Sequence, residues 1–252
     1  MAVRGMPGAP APPTRTALAL YALARSLVVG LSRLLWHLEV TGLENVPATG
    51  ACIVAPVHRS NIDTLVVAGV TDRRLRYMGK DALWSTRPSA WLLSALGGFP
   101  VHRGVADREA MKLCLDVLAG GEPLVVFPEG QRREGPRLAE IFEGAAYLAS
   151  RAAVPVVPVG IGGSAAALPR GAFLPGRSRV RVVIGPPMPA PAPGPGGRVS
   201  RSEVRKLTAE LSSRLQELFD EAKVGAGPPA RRARGVRRLG GRPTSRGPTS
   251  RG

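Results

Sequence analysis

A histidine stands five residues before an aspartate in PVHRSNIDTL, residues 56–65, directly after an apolar, strand-like run. On one continuous helix that step would separate His58 and Asp63 by about 140°, so we expect His58 on a loop before a helix that carries Asp63. Asp63 then binds one ring nitrogen, and the other serves as a general base toward a hydroxyl. No serine is needed if the substrate supplies that hydroxyl. The alternative is a polar strand exit followed by an acidic residue in a first helical turn.

The same spacing recurs in PVHRGVADRE, residues 100–109, where His102 precedes Asp107. We expect at most one of the two pairs to be catalytic. Ser60 and Asp63 also form an S-x-x-D pattern, which predicts a capping box in which Ser60 starts the helix. GGSAA, residues 162–166, resembles a nucleophile elbow, but no histidine follows it in the chain, so a turn and helix start is the better interpretation.

The elements that must position these residues alternate between strand-like and helix-like segments, which predicts one α/β domain with a mostly parallel sheet flanked by helices. The expected strands are 38–41, 51–57, 75–78, 99–102, 124–127, 154–159 and 179–184. The expected helices of that domain and its C-terminal extension are 62–70, 89–96, 107–118, 138–152 and 202–222.

Functional residues in such folds follow the carboxyl ends of strands. Three candidates stand there: His58 after ACIVAPV, Arg103 after GGFPV, and Glu129 after LVVF. If the sheet brings these strand ends together, a base, a cation and a carboxylate converge on one edge. The alternative for Glu129 is a structural ion pair.

The chain of 252 residues suggests one domain with appendages. We divide it into a disordered N-terminus (1–15), an amphipathic membrane-interface helix (16–38), the α/β domain (39–185), a Pro/Gly linker (186–200), a C-terminal helix (201–223) and a disordered Arg-rich tail (224–252). The two cysteines, Cys52 and Cys114, form no metal-ligand cluster and are expected to be small buried side chains.

The net charge is +17, and eight arginines without any acidic residue lie in the tail from Val224 onward. Such a segment is an electrostatic tether for a polyanion, either an anionic membrane or a nucleic acid. It lacks the aromatic residues that stack on bases, which argues against a nucleic acid.

The N-terminal helix favours a membrane. Leucines recur at steps of three and four residues on one stripe, and arginines point away from it. The leucines are Leu20, Leu23, Leu27, Leu31, Leu34 and Leu38, and the arginines are Arg15, Arg25 and Arg33. The arginines argue against a spanning helix, so we expect a helix that lies in the interface; the alternative is that the stripe contacts the protein's own core.

Four sequence blocks, HRSNID, GGFPVHR, FPEGQR and VPVVPVGI, resemble in order and spacing those of the glycerolipid acyltransferase family, and in particular its 1-acylglycerol-3-phosphate acyltransferases. The resemblance implies that His58 is the base and Asp63 its orienting partner. It places the acceptor phosphate at Arg103, Glu129, Gly130, Arg132 and Lys80. A carboxylate beside that phosphate is expected to orient a cation, so the resemblance implies that Glu129 orients Arg103 or Arg132. His102 takes a variable position before the arginine of the second block, so its pairing with Asp107 is a coincidence.

By this resemblance the chain moves a fatty acyl group from an acyl thioester to a lysophosphatidic acid and gives phosphatidic acid. No metal or cofactor is expected, and the thioester of coenzyme A or of acyl carrier protein is a co-substrate. The expected location is peripheral, on the cytoplasmic face of the cell membrane, with no nucleic acid partner. Two alternatives are another lysophospholipid or glycolipid acceptor and a non-enzymatic protein that binds anionic membranes.

Overall fold

The computed structural model describes residues 14–101, 108–194 and 199–227, apart from the side chain of Lys80. The predictions that concern His102, Arg103 and Asp107 therefore fall outside the described residues, as do those for residues 1–13, 195–198 and 228–252.

The described residues form one sheet of seven strands, and all seven were expected from the sequence. In chain order they are β1 (Glu39–Thr41), β2 (Ile53–Pro56), β3 (Arg76–Lys80), β4 (Gly98–Val101), β5 (Leu124–Val125), β6 (Val156–Gly162) and β7 (Arg181–Ile184). Their order across the sheet is β1-β7-β6-β2-β5-β3-β4. The five strands from β6 to β4 are mutually parallel, whereas β7 is antiparallel to β6 and β1 is parallel to β7. The predicted α/β fold with a mostly parallel sheet is confirmed.

The described helices lie on both faces of this sheet. They are α1 (Arg15–Trp36), α2 (Asp63–Val67), α3 (Arg87–Ala95), α4 (Arg108–Ala119), α5 (Gly144–Ala152), α6 (Ser164–Ala167) and α7 (Arg201–Lys223). The predicted helix 62–70 is α2 followed by a 3-10 turn, Ala68–Val70. The predicted helix 138–152 is wrong at its start, since α5 begins at Gly144. The preceding segment is held instead by side chains, with the Leu138 N–H donating to Gln216 Oε1 at 2.7 Å.

Two hydrophobic cores form because β2 and β6 are apolar on both sides, as parallel strands covered by helices are. Ile53 of β2 contributes to the core on one face, together with Leu148 of α5 and Leu211 of α7. Val54, the next residue of β2, belongs to the core on the opposite face. Adjacent strand residues point to opposite faces, so one short strand serves both cores.

Helix α7, which follows the Pro/Gly linker, lies directly against β6. A Cβ atom on Gly160 would stand 2.3 Å from the carbonyl oxygen of Leu218, and one on Gly162 would stand 2.1 Å from that of Ala222. Leu211 and Leu215 on the facing side of the helix are buried. The last helix is therefore an integral layer of the domain.

The leucine stripe of α1 faces outward. Leu23, Leu27 and Leu34 are 69%, 61% and 73% exposed, whereas Trp36 on the opposite side is buried. Arg25 faces the domain, where Nε donates to the carbonyl oxygens of Ala68 and Thr71 and Nη2 pairs with Asp72 at 2.7 Å. The stripe also ends earlier than expected, because the helix stops at Trp36 and Leu38 is buried in the core. The alternative in which the stripe contacts the protein's own core is therefore wrong for the exposed leucines.

By length and composition alone, α1 meets the requirement for a helix that crosses a bilayer. Its arginines are therefore too few to exclude a spanning helix. An interfacial position of α1 stays a prediction.

The direction of the strands brings α1 to the same edge as His58. We call the edge at which β2 and β6 end the carboxyl edge. Gly162, the last residue of β6, is in register with Arg181, the first residue of β7, and Glu39 of β1 pairs with Arg181. Both β1 and β7 therefore begin at the carboxyl edge. The carbonyl oxygen of Trp36, at the end of α1, accepts from the N–H of Val180 there at 2.9 Å.

Candidate active site

The loop after β2 places His58 at the carboxyl edge and folds its imidazole back onto Asp63. Nδ1 of His58 lies 3.1 Å from Oδ2 of Asp63, whose side chain is fully buried. The same oxygen accepts from the backbone N–H groups of Arg59 at 2.5 Å and Ser60 at 2.6 Å. Two backbone N–H donors therefore fix one carboxylate oxygen, and that oxygen in turn fixes the ring through its contact with Nδ1. The predicted pairing of the two residues, with His58 on a loop before the helix, agrees with this geometry.

Phe127 packs against one face of the His58 imidazole. The two rings stack with their centroids 4.1 Å apart and an interplanar angle of 30°. The His58 side chain keeps 17% of its surface exposed. When Nδ1 donates to Asp63, Nε2 carries the lone pair of the neutral ring, so this arrangement can accept a proton from a hydroxyl.

Ser60 does not cap the helix, and this part of the prediction is wrong. Helix α2 starts at Asp63 without a side-chain cap, and the Ser60 hydroxyl donates to the carbonyl oxygen of Leu168 at 2.8 Å. The physical reason is that the Asp63 carboxylate reaches back to the N–H groups of the preceding loop. Ser60 thereby connects the loop of His58 to the segment that follows α6.

Glu129 is buried behind the His58 loop and pairs with Arg59, a residue that sequence reasoning did not single out. Arg59 Nη1 lies 2.7 Å from Glu129 Oε2, and the exposed fractions of the two side chains are 3% and 0%. The other oxygen, Oε1, accepts from the backbone N–H of His58 at 3.1 Å. Glu129 thus holds the loop of the base through both oxygens, in agreement with the structural ion pair weighed as the alternative.

Arg59 is enclosed by further groups. Nη2 donates to the carbonyl oxygen of Arg137 at 3.1 Å, and the guanidinium carbon lies 4.8 Å from the ring centroid of Phe219 on α7. The segment after Glu129 also binds the loop directly, since the Arg133 N–H donates to the His58 carbonyl oxygen at 3.0 Å. The last helix and the segment after FPEG therefore both support the position of His58.

The predicted phosphate ligands are brought to the same edge only in part. Gly130 adopts φ +67° in the turn after β5, where a Cβ atom would stand 2.7 Å from the ring of Phe142. Arg132 is half-buried and makes no hydrogen bond or ion pair with the described residues. The carboxylate of Glu129 pairs with Arg59 rather than with Arg132. Lys80 is the last residue of β3, and Arg103 lies outside the described residues.

Other nucleophiles are buried. Burial raises the pKa of the Cys114 thiol to about 12 and also raises the pKa of the Cys52 thiol, so both stay protonated near neutral pH. Ser164, the serine of GGSAA, is fully buried at the start of α6. The described residues contain no group of three or more His, Cys, Asp or Glu side chains that could hold a metal ion. The arrangement is therefore suited to proton transfer by His58 rather than to a covalent enzyme intermediate on these side chains.

Two proteins with sequences similar to this chain are named as acyltransferases. A 1-acyl-sn-glycerol-3-phosphate acyltransferase of Pseudomonas aeruginosa is 25% identical over 193 residues, which cover 75% of this chain and 70% of that protein. A chloroplastic 1-acyl-sn-glycerol-3-phosphate acyltransferase of Brassica napus is 28% identical over 156 residues, covering 60% of this chain. The match spans only 44% of the length of the Brassica protein.

Among solved structures, the 1-acyl-sn-glycerophosphate acyltransferase PlsC from Thermotoga maritima is similar with a TM-score of 0.62. The two chains are 24% identical, and the match covers 82% of this chain and 79% of that one, so the likeness establishes a shared fold. The Acyltransferase family profile matches residues 37–162, half of the chain, and this range contains the His58–Asp63 pair and the Glu129 that holds it. The chain belongs to the Acyltransferase family.

Proposed function

We propose that this chain transfers a fatty acyl group from an acyl thioester to the free hydroxyl of a 1-acylglycerol-3-phosphate and so produces phosphatidic acid. The observation that carries the proposal is the imidazole of His58, held 3.1 Å from the buried Asp63 carboxylate at the carboxyl edge. The names of the relatives from Pseudomonas and Brassica support the choice of acceptor.

The reaction proceeds by direct transfer. Nε2 of His58 takes the proton of the acceptor hydroxyl as that oxygen attacks the thioester carbonyl carbon. The tetrahedral intermediate then expels the thiolate, which receives the same proton from the imidazolium. Asp63 holds Nδ1 and stabilises the positive charge that develops on the ring. The catalytic residues are therefore His58 and Asp63, and no cofactor takes part.

The acceptor phosphate binds to cations at the carboxyl edge. Arg132 supports this proposal, since its guanidinium has no ion-pair partner among the described residues. Arg103 and Lys80 complete the cationic set, and an arginine fork suits the planar contact with a phosphate. Glu129 and Gly130 act indirectly here: the first through Arg59 and the His58 loop, and the second by allowing the turn that follows β5.

The protein acts at the cytoplasmic face of the cell membrane, where its lipid substrates lie. The exposed leucines of α1 support burial in the interface, and the arginines beyond Val224 add attraction to an anionic leaflet. Deleting the tail should make release from anionic vesicles by salt easier. Deleting residues 1–38 as well should remove most of the attachment; flotation of that doubly truncated chain at high salt to the same extent as the full chain would contradict the assignment of the main attachment to the two termini.

The acceptor is tested by thiol release from acyl coenzyme A and from acyl carrier protein with a panel of lysolipids. We expect release that depends on lysophosphatidic acid, with phosphatidic acid as the product and with His58→Ala as the blank. A preference for another lysophospholipid or a glycolipid would assign that lipid, rather than lysophosphatidic acid, as the acceptor. Failure with every acceptor, together with retained binding to anionic vesicles, would favour the non-enzymatic alternative.

A further inference from the structure

The loop of residues 168–178, between α6 and β7, carries the two most exposed large apolar side chains of the described residues. Phe173 is 98% exposed and Leu174 is 84% exposed. Moving such side chains out of water is favourable, and here the fold leaves both in solvent. A pair of neighbouring large apolar side chains at a loop tip is typical of a contact with something outside the chain.

The base of the 168–178 loop is fixed by hydrogen bonds. The Gly176 N–H donates to the carbonyl oxygen of Ala167 at 2.7 Å, and the Ser178 hydroxyl donates to that of Gly163 at 3.0 Å. The carbonyl oxygen of Leu168 accepts from Ser60, two residues after His58, at 2.8 Å. The tip of the loop, Phe173 and Leu174, is therefore held by an ordered base. Ser60 connects this base to the loop of the catalytic histidine.

Other exposed apolar side chains occupy the same edge. The loop leads into Val180, whose N–H binds the carbonyl oxygen of Trp36 at the end of α1. Leu34 in the last turn of α1 is 73% exposed, and Phe142, beside the turn of Gly130, is 63% exposed. The carboxyl edge thus carries apolar groups on several elements around His58.

The charges around the tip select the partner. Between Glu143 and Glu203 the sequence contains no acidic residue. Arg170 and Arg177 flank the tip and are exposed, and Arg170 reaches Glu134 only at 3.8 Å, through side chains that are both largely exposed. Apolar side chains between arginines match a bilayer surface, where apolar groups enter the headgroup region and cations meet anionic lipids. In a symmetric contact between two copies the arginines would repel one another.

We infer that the 168–178 loop inserts Phe173 and Leu174 into the headgroup region of an anionic lipid bilayer, with Arg170 and Arg177 on the lipid phosphates. Insertion turns the carboxyl edge toward the lipid and holds His58 at the depth where a glycerol hydroxyl lies. The loop is thus a second contact with the bilayer, separate from α1. Binding to vesicles needs no substrate, so a failure of this inference leaves the proposed acyl transfer untouched, and the reverse also holds.

The direct test is a polarity-sensitive dye on a cysteine at position 173 of the full chain. Cys52 and Cys114 are fully buried and stay unlabelled in the folded protein. We expect a blue shift of the Phe173→Cys conjugate with vesicles of equal parts phosphatidylcholine and phosphatidylglycerol. The control is Leu43→Cys. Leu43 is an exposed leucine that follows β1, and it lies at the edge of the sheet opposite the carboxyl edge. A spectrum of the Phe173→Cys conjugate that does not change on these vesicles overturns the inference.

The affinity of the protein for these vesicles is a second test of the inference. Replacing Phe173 and Leu174 together by serine should weaken binding to these vesicles about 10- to 100-fold, since both apolar contacts are lost. Leu43→Ser should bind as the wild type does, and the thermal midpoint of the double variant should stay unchanged because both side chains are exposed. Replacing Arg170 and Arg177 by glutamine should weaken binding to the anionic vesicles and not to phosphatidylcholine alone. A double serine variant that binds normally but no longer self-associates would assign the tip to a second copy and refute the lipid contact.

Discussion

Replacing Glu129 with glutamine leaves the guanidinium of Arg59 charged, buried and without its carboxylate. In the folded protein the two groups are 2.7 Å apart, with side-chain exposures of 3% for Arg59 and 0% for Glu129. The neutral groups that stay beside Arg59 are the carbonyl oxygens of His58 and Arg137 and the ring of Phe219. Removing one partner of a buried pair costs about 3–5 kcal/mol, because the other charge remains desolvated. We expect a loss at the lower end, about 3 kcal/mol, since these neutral groups offset part of the cost.

The assay is denaturant unfolding of the single variants Glu129→Gln and Arg59→Met and of the double variant. The double variant should lose less than the sum of the two single losses, by about 1.5 kcal/mol or more, because it leaves no uncompensated charge. Glu217→Gln is the matched control. It breaks an ion pair with Arg214 at 3.1 Å that is 56% and 60% exposed, and should change stability little.

Additive losses from the two single variants would refute this reasoning. A loss from Glu129→Gln no larger than that from Glu217→Gln would also refute it. In either case the ion pair would not be the buried support of the His58 loop that the geometry indicates.

The remaining predictions concern the site and the contact of α7 with the sheet. Asp63→Asn should lower kcat severely but less than loss of the base, because the imidazole stays with poorer orientation; wild-type rates would reduce Asp63 to a structural residue. Arg103→Ala should mainly raise the KM for a phosphate-bearing acceptor, and a rise in donor KM alone would place the phosphate elsewhere. Gly160→Ala should lower the free energy of unfolding by about 1–3 kcal/mol or more, because its Cβ atom would stand 2.3 Å from a backbone carbonyl of α7. Gly144→Ala, with nothing within 4 Å, is the control, and equal effects in the two would mean that α7 does not lie against β6.

The strands were predictable because their signal is local. Runs such as ACIVAPV and VPVVPVGI are apolar on both faces, as buried parallel strands are. The direction of β1 and β7 relative to the other strands was not predictable in the same way, because an apolar run has the same sequence pattern in a parallel and in an antiparallel strand. It became visible only through the pairing of Arg181 with Gly162 and with Glu39.

The outward face of α1 shows a different limit of sequence reasoning. The leucine stripe and the arginines opposite it are plain in the sequence. A period of 3.6 residues shows that the helix has two different sides, but it does not show which side faces the protein. The position of α1 depends on tertiary contacts, among them the bonds of Arg25 to carbonyl oxygens near Asp72. The helix therefore presents to solvent the side that a globular protein usually buries.

The site was predicted at His58 and Asp63 because their spacing constrains the loop between them. Arg59 was missed, although it stands beside His58 in the sequence. The available signal was Glu129: a carboxylate directly after a buried strand requires a cation, and Arg59 was the arginine already placed at that edge. Arg103 stays a prediction, since it lies outside the described residues.

The central claim is that His58 is the base for acyl transfer, and the rate of thiol release with lysophosphatidic acid in His58→Ala and His102→Ala tests it most directly. Both variants are first shown to be folded, by an unchanged unfolding midpoint. We predict that His58→Ala loses several orders of magnitude in kcat, whereas His102→Ala stays within about tenfold of the wild type. Equal losses in the two variants, or a rate for His58→Ala near that of the wild type, would contradict the account.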